Sequence, residues 1–177
     1  MKTKWNLLLA VVIGGAFMAA AGTADAINLE SWDNQINKPS RFQVLSAFGD
    51  AAVLDKETQL VWEQSPGDRR DPTAVRTWLG AQKHCNHKTV GGRKGWRLPT
   101  IQELASLIDP TQSSPALPSG HPFSNVQSAI YWSATTRADN TANVWIVLLN
   151  SGNLGDHFKT STNHDWCVRG GQGVDPQ

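Results

Sequence analysis

The sequence predicts an α+β domain in which two helices pack on antiparallel strands. Three observations predict it. Short β-rich runs come first, Phe42-Gln43-Val44-Leu45, Ala52-Val53-Leu54-Asp55 and Leu60-Val61-Trp62, separated by turn-forming residues. Two stretches of helical periodicity hold the middle, one leading to Cys85 and one starting at Thr100. A second group of β-rich runs lies after a long Pro- and Ser-containing stretch. Strands, then helices, then strands is the order of an α+β domain rather than of alternating βαβ units.

The first residues read as an address. Lys2 and Lys4 precede an apolar run from Leu7 to Ala21, and Ala24-Asp25-Ala26 is a small-x-small cleavage site. Residues 1–26 are therefore expected to be a removed signal peptide, the apolar run being short for a membrane span. No cysteine precedes Cys85, so a lipid-bearing N-terminal cysteine is not expected. Residues 27–40 form a polar lead-in, 41–171 the domain, and 172–177 a loose tail. Export is the expected fate, to the periplasm or the medium, with no integral membrane segment left after cleavage.

Within the domain, Gly49-Asp50 turns the first strand into the second, and Lys56-Glu57-Thr58 turns the second into the third. A first helix follows, capped either by Asp71 with Pro72 at its first position or by Thr77. Val75, Trp78, Leu79, Gln82 and Cys85 recur at near-helical spacing, which predicts that Cys85 faces inward and pins its helix from inside. The stretch Gly91 to Glu103 is a glycine turn, an extended arm and a second helix start. Thr100 and Glu103 have the spacing of a capping box, each side chain serving the other's backbone N–H. Pro99 disfavours helix at Leu98, Ile101, Leu104, Ala105 and Ile108 make an apolar stripe, and Asp109-Pro110 ends the helix. From Pro110 to Asn125 the chain is loop, and loops of that length are usually functional or mobile. Strands are then predicted over Ala129–Ala134, Asn143–Leu149, Leu154–Lys159 and Asp165–Arg169, with a hairpin turn at Asn150-Ser151-Gly152-Asn153.

Composition is that of an exported globule. Seven of the eight tryptophans lie beyond the signal peptide. Two cysteines in a secreted chain most simply form one disulfide, Cys85 to Cys167. A redox or metal role is the alternative, without a C-x-x-C pair to support it. His84 and His87 flank Cys85, and read as two exposed histidines near a helix end. Charge is concentrated. From Arg69 to Arg97 there are eight basic residues against Asp71 alone. Such a segment in an otherwise balanced chain suggests an anionic partner, and the alternative is a solvated face with Arg97 used internally. Arg69, Arg70, Arg76, Lys83, Lys88, Arg93 and Lys94 are the candidate ligand-binding residues, since guanidinium groups grip sulfate or phosphate as a fork and lysines add field. No Ser-His-Asp set, nucleotide loop or paired carboxylates stand out, so neither an enzyme nor a cofactor is expected. Export argues against a nucleic-acid partner.

Five pieces of the chain carry a resemblance to a known family. They are Asp55-x-x-Thr58-x-Leu60-x-Trp62, Thr77-Trp78-x-x-Ala81-x-x-x-Cys85, Gly91-Gly92-x-x-x-Trp96-Arg97-Leu98-Pro99-Thr100-x-x-Glu103-Leu104, Tyr131-Trp132-Ser133-Ala134-Thr135 and Cys167-Val168-Arg169-Gly170-Gly171. Together they resemble the C-terminal domain of the bacterial collagen-like adhesin Lcl. The resemblance implies a C-type-lectin-like fold, with Cys85 and Cys167 similar to that fold's long-range disulfide. It also makes Trp62, Trp78, Trp96, Arg97, Thr100, Glu103 and Trp132 motif residues of the scaffold. The adhesin is implicated in binding sulfated glycosaminoglycans and in forming trimers, which makes sulfated or acidic polysaccharide the expected partner. No collagen-like Gly-x-y tract precedes the domain here, so stalk and trimer do not carry over. Gln59 stands where the family usually has glycine, a change confined to a turn. The Glu-Pro-Asn and Trp-Asn-Asp motifs of sugar-chelating C-type lectins are absent, so no metal is expected at a sugar site. The alternative function is a structural or protein-interaction domain of the bacterial envelope, with no glycan ligand.

Overall fold

The computed structural model describes residues 39–67, 71 and 73–170. The expected signal peptide, most of the lead-in, the tail, Arg69, Arg70 and Pro72 lie outside the described residues.

Two antiparallel sheets and two helices form an α+β domain. The first sheet holds β1 (Phe42–Val44), β2 (Ala52–Asp55), β3 (Leu60–Glu63) and β7 (Val168–Gly170), in the order β1-β2-β3-β7. The second is a meander of β4 (Ile130–Thr136), β5 (Asn143–Leu148) and β6 (Asn153–Phe158). The chain thus starts and closes in one sheet, with Val61 opposite Arg169 across β3 and β7. The last strand is shorter than its predicted Asp165–Arg169 span. Asp165, Trp166 and Cys167 precede it as irregular, fully buried chain.

Local chemistry explains the turns. Asp55 is buried and organises the β2–β3 turn, its carboxylate accepting from the Glu57 N–H at 3.0 Å and the Thr58 hydroxyl at 2.8 Å. Gln59 then takes a φ of +59°, the left-handed conformation in which glycine is easiest. The same carboxylate is gripped by the buried Arg41, which also donates to the Ser106 carbonyl at 2.9 Å. One ion pair therefore ties the first strand's start to the end of the second helix.

α1 runs from Trp78 to His87 with Thr77 as its cap, the Thr77 hydroxyl accepting from the Gly80 N–H at 3.3 Å. Its inward face is Ala81 and Cys85. Cys85 faces inward, as predicted, whereas Val75 and Leu79 are 46% and 56% exposed, because the helix starts after Val75 and turns Leu79 outward. α2 is short, Ile101–Ala105, with both halves of the capping box made. The predicted stripe continues without the helix. Leu107 and Ile108 bond back three residues, to Leu104 and Ala105, and this tighter turn still delivers both into the core.

Residues 110–125 are irregular, as predicted, and the irregular chain runs on through 129, one residue past the expected start of the strand, but the segment is tied down. The Ala116 N–H donates to the Leu149 carbonyl at 2.7 Å and the Ser124 N–H to the Gln64 carbonyl at 2.9 Å, while Ala116, Leu117 and Phe123 are buried. Its apolar residues are part of the core rather than of a free surface loop. Phe123 packs edge-on against Trp166 with ring centres 4.8 Å apart, and Trp166 against Trp62 at 5.6 Å. Trp62, Trp96, Trp132 and Trp166 are all fully buried, so these tryptophans are framework.

Candidate functional site

The basic segment divides into cations used inside the fold and cations presented outside it. Arg76 donates to Asp165 Oδ1 at 2.7 Å, and its backbone pairs in both directions with Asn163. Lys88 bonds Glu63, a carboxylate almost wholly out of solvent. Arg97 forks onto Glu103 with two 2.7 Å bonds and reaches the Gly170 carbonyl at 3.0 Å. All three make ion pairs within the fold, Arg76 and Lys88 among them although they are also candidate ligand-binding residues. The reason is visible only in three dimensions. The buried Glu63 and Asp165 need compensating charge, and the residues just before and just after α1, Arg76 and Lys88, supply it.

Lys83, Arg93 and Lys94 remain exposed. Among the described residues none of the three has a carboxylate within ion-pair distance. Arg93 lies over the Phe48 ring, its guanidinium carbon 4.8 Å from the centroid, and Phe48 in turn packs edge-on against Trp96. The turn carrying Arg93 and Lys94 is held rigidly. The Val90 and Arg93 backbones bond each other twice, and the Trp96 indole donates to the Arg93 carbonyl at 2.8 Å. Gly91 is required there. A Cβ at Gly91 would lie 2.5 Å from the Phe48 backbone, closer than side-chain carbons approach.

Behind α1 sits a polar hub that sequence reasoning missed. Asp165 is fully buried, with Arg76 on Oδ1 and His84 Nδ1 2.5 Å from Oδ2. His84 is therefore a core partner and not an exposed histidine. His87 is exposed, its Nδ1 against the Lys83 carbonyl at 2.7 Å. Burial pushes the Asp165 carboxyl up, but His84 and Arg76 outweigh it and hold it below the usual carboxylate range. At Glu63 the balance reverses. Burial pushes its carboxyl up to about 7 against the pull of Lys88 and the Cys167 N–H. The one available signal for the hub was the excess of basic residues over local acids, which requires distant acidic partners.

Cys85 and Cys167 are joined as a disulfide, Cα to Cα 5.4 Å, linking α1 to the residue before β7. Trp132 donates its indole N–H to the Arg76 carbonyl at 2.7 Å and Trp78 to the Ser133 carbonyl at 2.9 Å, so α1 and its lead-in are stitched to β4.

A disulfide-pinned α+β domain with four fully buried tryptophans holds a rigid basic turn at its surface. The chain belongs to the Lcl C-terminal domain family, whose model matches residues 51–169. A comparison with curated proteins finds no match.

Proposed function

We propose that this is an exported, non-enzymatic recognition domain that binds sulfated or otherwise acidic polysaccharide through surface cations. The observation that carries the reading is the separation just described: Lys83, Arg93 and Lys94 stay exposed without carboxylate partners among the described residues, while Arg76, Lys88 and Arg97 are consumed internally. Arg69 and Arg70, outside the described residues, are further members of the proposed ligand-binding set. Family membership supports an adhesin-associated role, and the two-helix, two-sheet layout fits the C-type-lectin-like fold that the resemblance implies. Exposed cation–sulfate contacts are individually weak and salt-screened over about 8 Å at physiological strength, so affinity comes from several contacts together.

The test is retention on heparin-like and neutral polysaccharide columns across a salt gradient. Wild type should elute from the sulfated matrix at higher salt than the Lys83→Glu, Lys94→Glu double variant, and a chelator should change nothing. Equal elution of the two, or salt-independent retention on the neutral matrix, overturns the reading.

A second reading, a protein-interaction domain of the envelope, draws on one observation. Val75, Leu79 and Phe158 are large exposed apolar residues. α1 and the end of β6 meet beside them, where Lys159 lies 4.4 Å over the Trp78 ring.

A further inference from the structure

We propose that reduction of the Cys85–Cys167 disulfide converts the polar hub behind α1 into a tetrahedral zinc site, with Cys85, Cys167, His84 and Asp165 as ligands. The two sulfurs, His84 and Asp165 already bring one ligand atom each within 4.8 Å of all the others. A tetrahedral zinc with Zn–S near 2.3 Å and Zn–N or Zn–O near 2.0 Å sets its ligand atoms about 3.3–3.8 Å apart. Asp165 Oδ2 stands 4.0 Å from each sulfur and 2.5 Å from His84 Nδ1. Closing the first two distances slightly, widening the third, and parting the two sulfurs from bonding distance to about 3.8 Å makes room for the ion.

The outer partner is already in place. Arg76 holds Asp165 by Oδ1 at 2.7 Å, which leaves Oδ2 as the oxygen facing the sulfurs and His84. Metal-binding carboxylates are commonly oriented in this way by a second hydrogen-bonding group. Charge also closes. Two thiolates and one carboxylate against a divalent cation leave one negative charge, and the Arg76 guanidinium balances it. His84, whose side chain is 20% exposed, is the most accessible of the four ligands and gives the ion a way in.

The step balances as follows. A dithiol gives two electrons and two protons to the disulfide, becoming a disulfide itself, and leaves two thiols. Zinc then displaces the two thiol protons to solvent. The single hydrogen of the neutral imidazole resides on Nε2 when Nδ1 binds the ion. In the oxidised chain both sulfurs are committed to each other, so the site exists only after reduction. This inference is independent of the polysaccharide reading.

The experiment compares the purified oxidised chain with the chain reduced by a phosphine, each equilibrated with zinc and desalted. Bound zinc is measured by elemental analysis and the fold by near-ultraviolet circular dichroism. The reduced chain is expected to hold one zinc per molecule and keep its aromatic signal, and the oxidised chain to hold none. His84→Asn should weaken binding about tenfold or more in the reduced chain. Cobalt in place of zinc gives a readout that needs no variant, with thiolate charge-transfer bands and intense tetrahedral d–d bands expected. A reduced chain that binds no more zinc than the oxidised one overturns the proposal. So do loss of the aromatic signal on reduction whether or not zinc is present, weak octahedral cobalt absorption, and zinc binding unchanged by His84→Asn, which would mean that the thiols act alone in an opened chain.

Discussion

Arg97 and Glu103 meet in a two-bonded fork, each bond 2.7 Å, and the same carboxylate closes the N-terminus of α2 by accepting from the Thr100 N–H at 2.8 Å. Arg97 also pairs with Val168 of β7, in the first sheet, through reciprocal 2.9 Å backbone bonds, and its side chain donates to the Gly170 carbonyl. One side-chain pair therefore joins the arm, the helix start and the closing strand.

That pairing carries a pH dependence. Burial pushes the Glu103 carboxyl up, yet the Arg97 fork and the Thr100 N–H outweigh burial and hold it below its ordinary value of about 4.5. A carboxyl that binds its proton more weakly folded than unfolded stabilises the fold above its unfolded value, and that stabilisation drains away as pH falls through the folded one. The stability difference between wild type and Glu103→Gln should be full near neutrality and shrink as pH drops below about 4.5. Denaturant midpoints for both proteins from neutral pH to about pH 3 check this, and a constant difference contradicts it.

Thr100→Ala removes the other half of the box, the 3.2 Å bond from the Glu103 N–H. The expected loss is about 0.5–2 kcal/mol, the usual worth of a threonine cap. Chemical denaturation measures it. Equal midpoints and slopes for variant and wild type would mean that the cap contributes nothing.

Neighbouring glycines in the basic turn should respond differently to the same substitution. Gly91 and Gly92 both have positive φ, +56° and +73°. Gly92 faces open space, whereas a methyl at Gly91 meets the Phe48 backbone. Gly92→Ala should cost about 1–2 kcal/mol, from the left-handed conformation alone. Gly91→Ala adds a clash with backbone, worth a further 1–3 kcal/mol or so. Thermal denaturation of the two variants side by side tests the order, and a Gly92 variant as damaged as the Gly91 variant would refute it.

Legibility in the sequence followed the range of the interaction. The capping box was readable because Thr100 and Glu103 are three positions apart and the physics is local. The strands were readable because their β-rich runs and the turn residues bounding them are local features of the sequence. The length of α2 was not, since Leu107 and Ile108 keep the helical spacing while bonding in a tighter turn. The roles of Arg76 and Lys88 were hidden for a different reason. Their partners, Asp165 and Glu63, lie 89 and 25 positions away, and nothing at those positions marks them as buried. A basic run thus read as one surface, although the fold divides it residue by residue.

The closing of the first sheet by β7 has a consequence for the order in which the domain can be completed. β3 waits for a strand supplied more than a hundred residues later, and Cys85 for a cysteine 82 positions downstream. Trp166 fills the space between Trp62 and Phe123 only when that same C-terminal piece arrives. Such distant pairings are slow to form and cannot be replaced by local ones. A nascent chain emerging from N- to C-terminus therefore carries an open sheet edge and a hollow core until Trp166 and β7 are free, and only then does the domain lock.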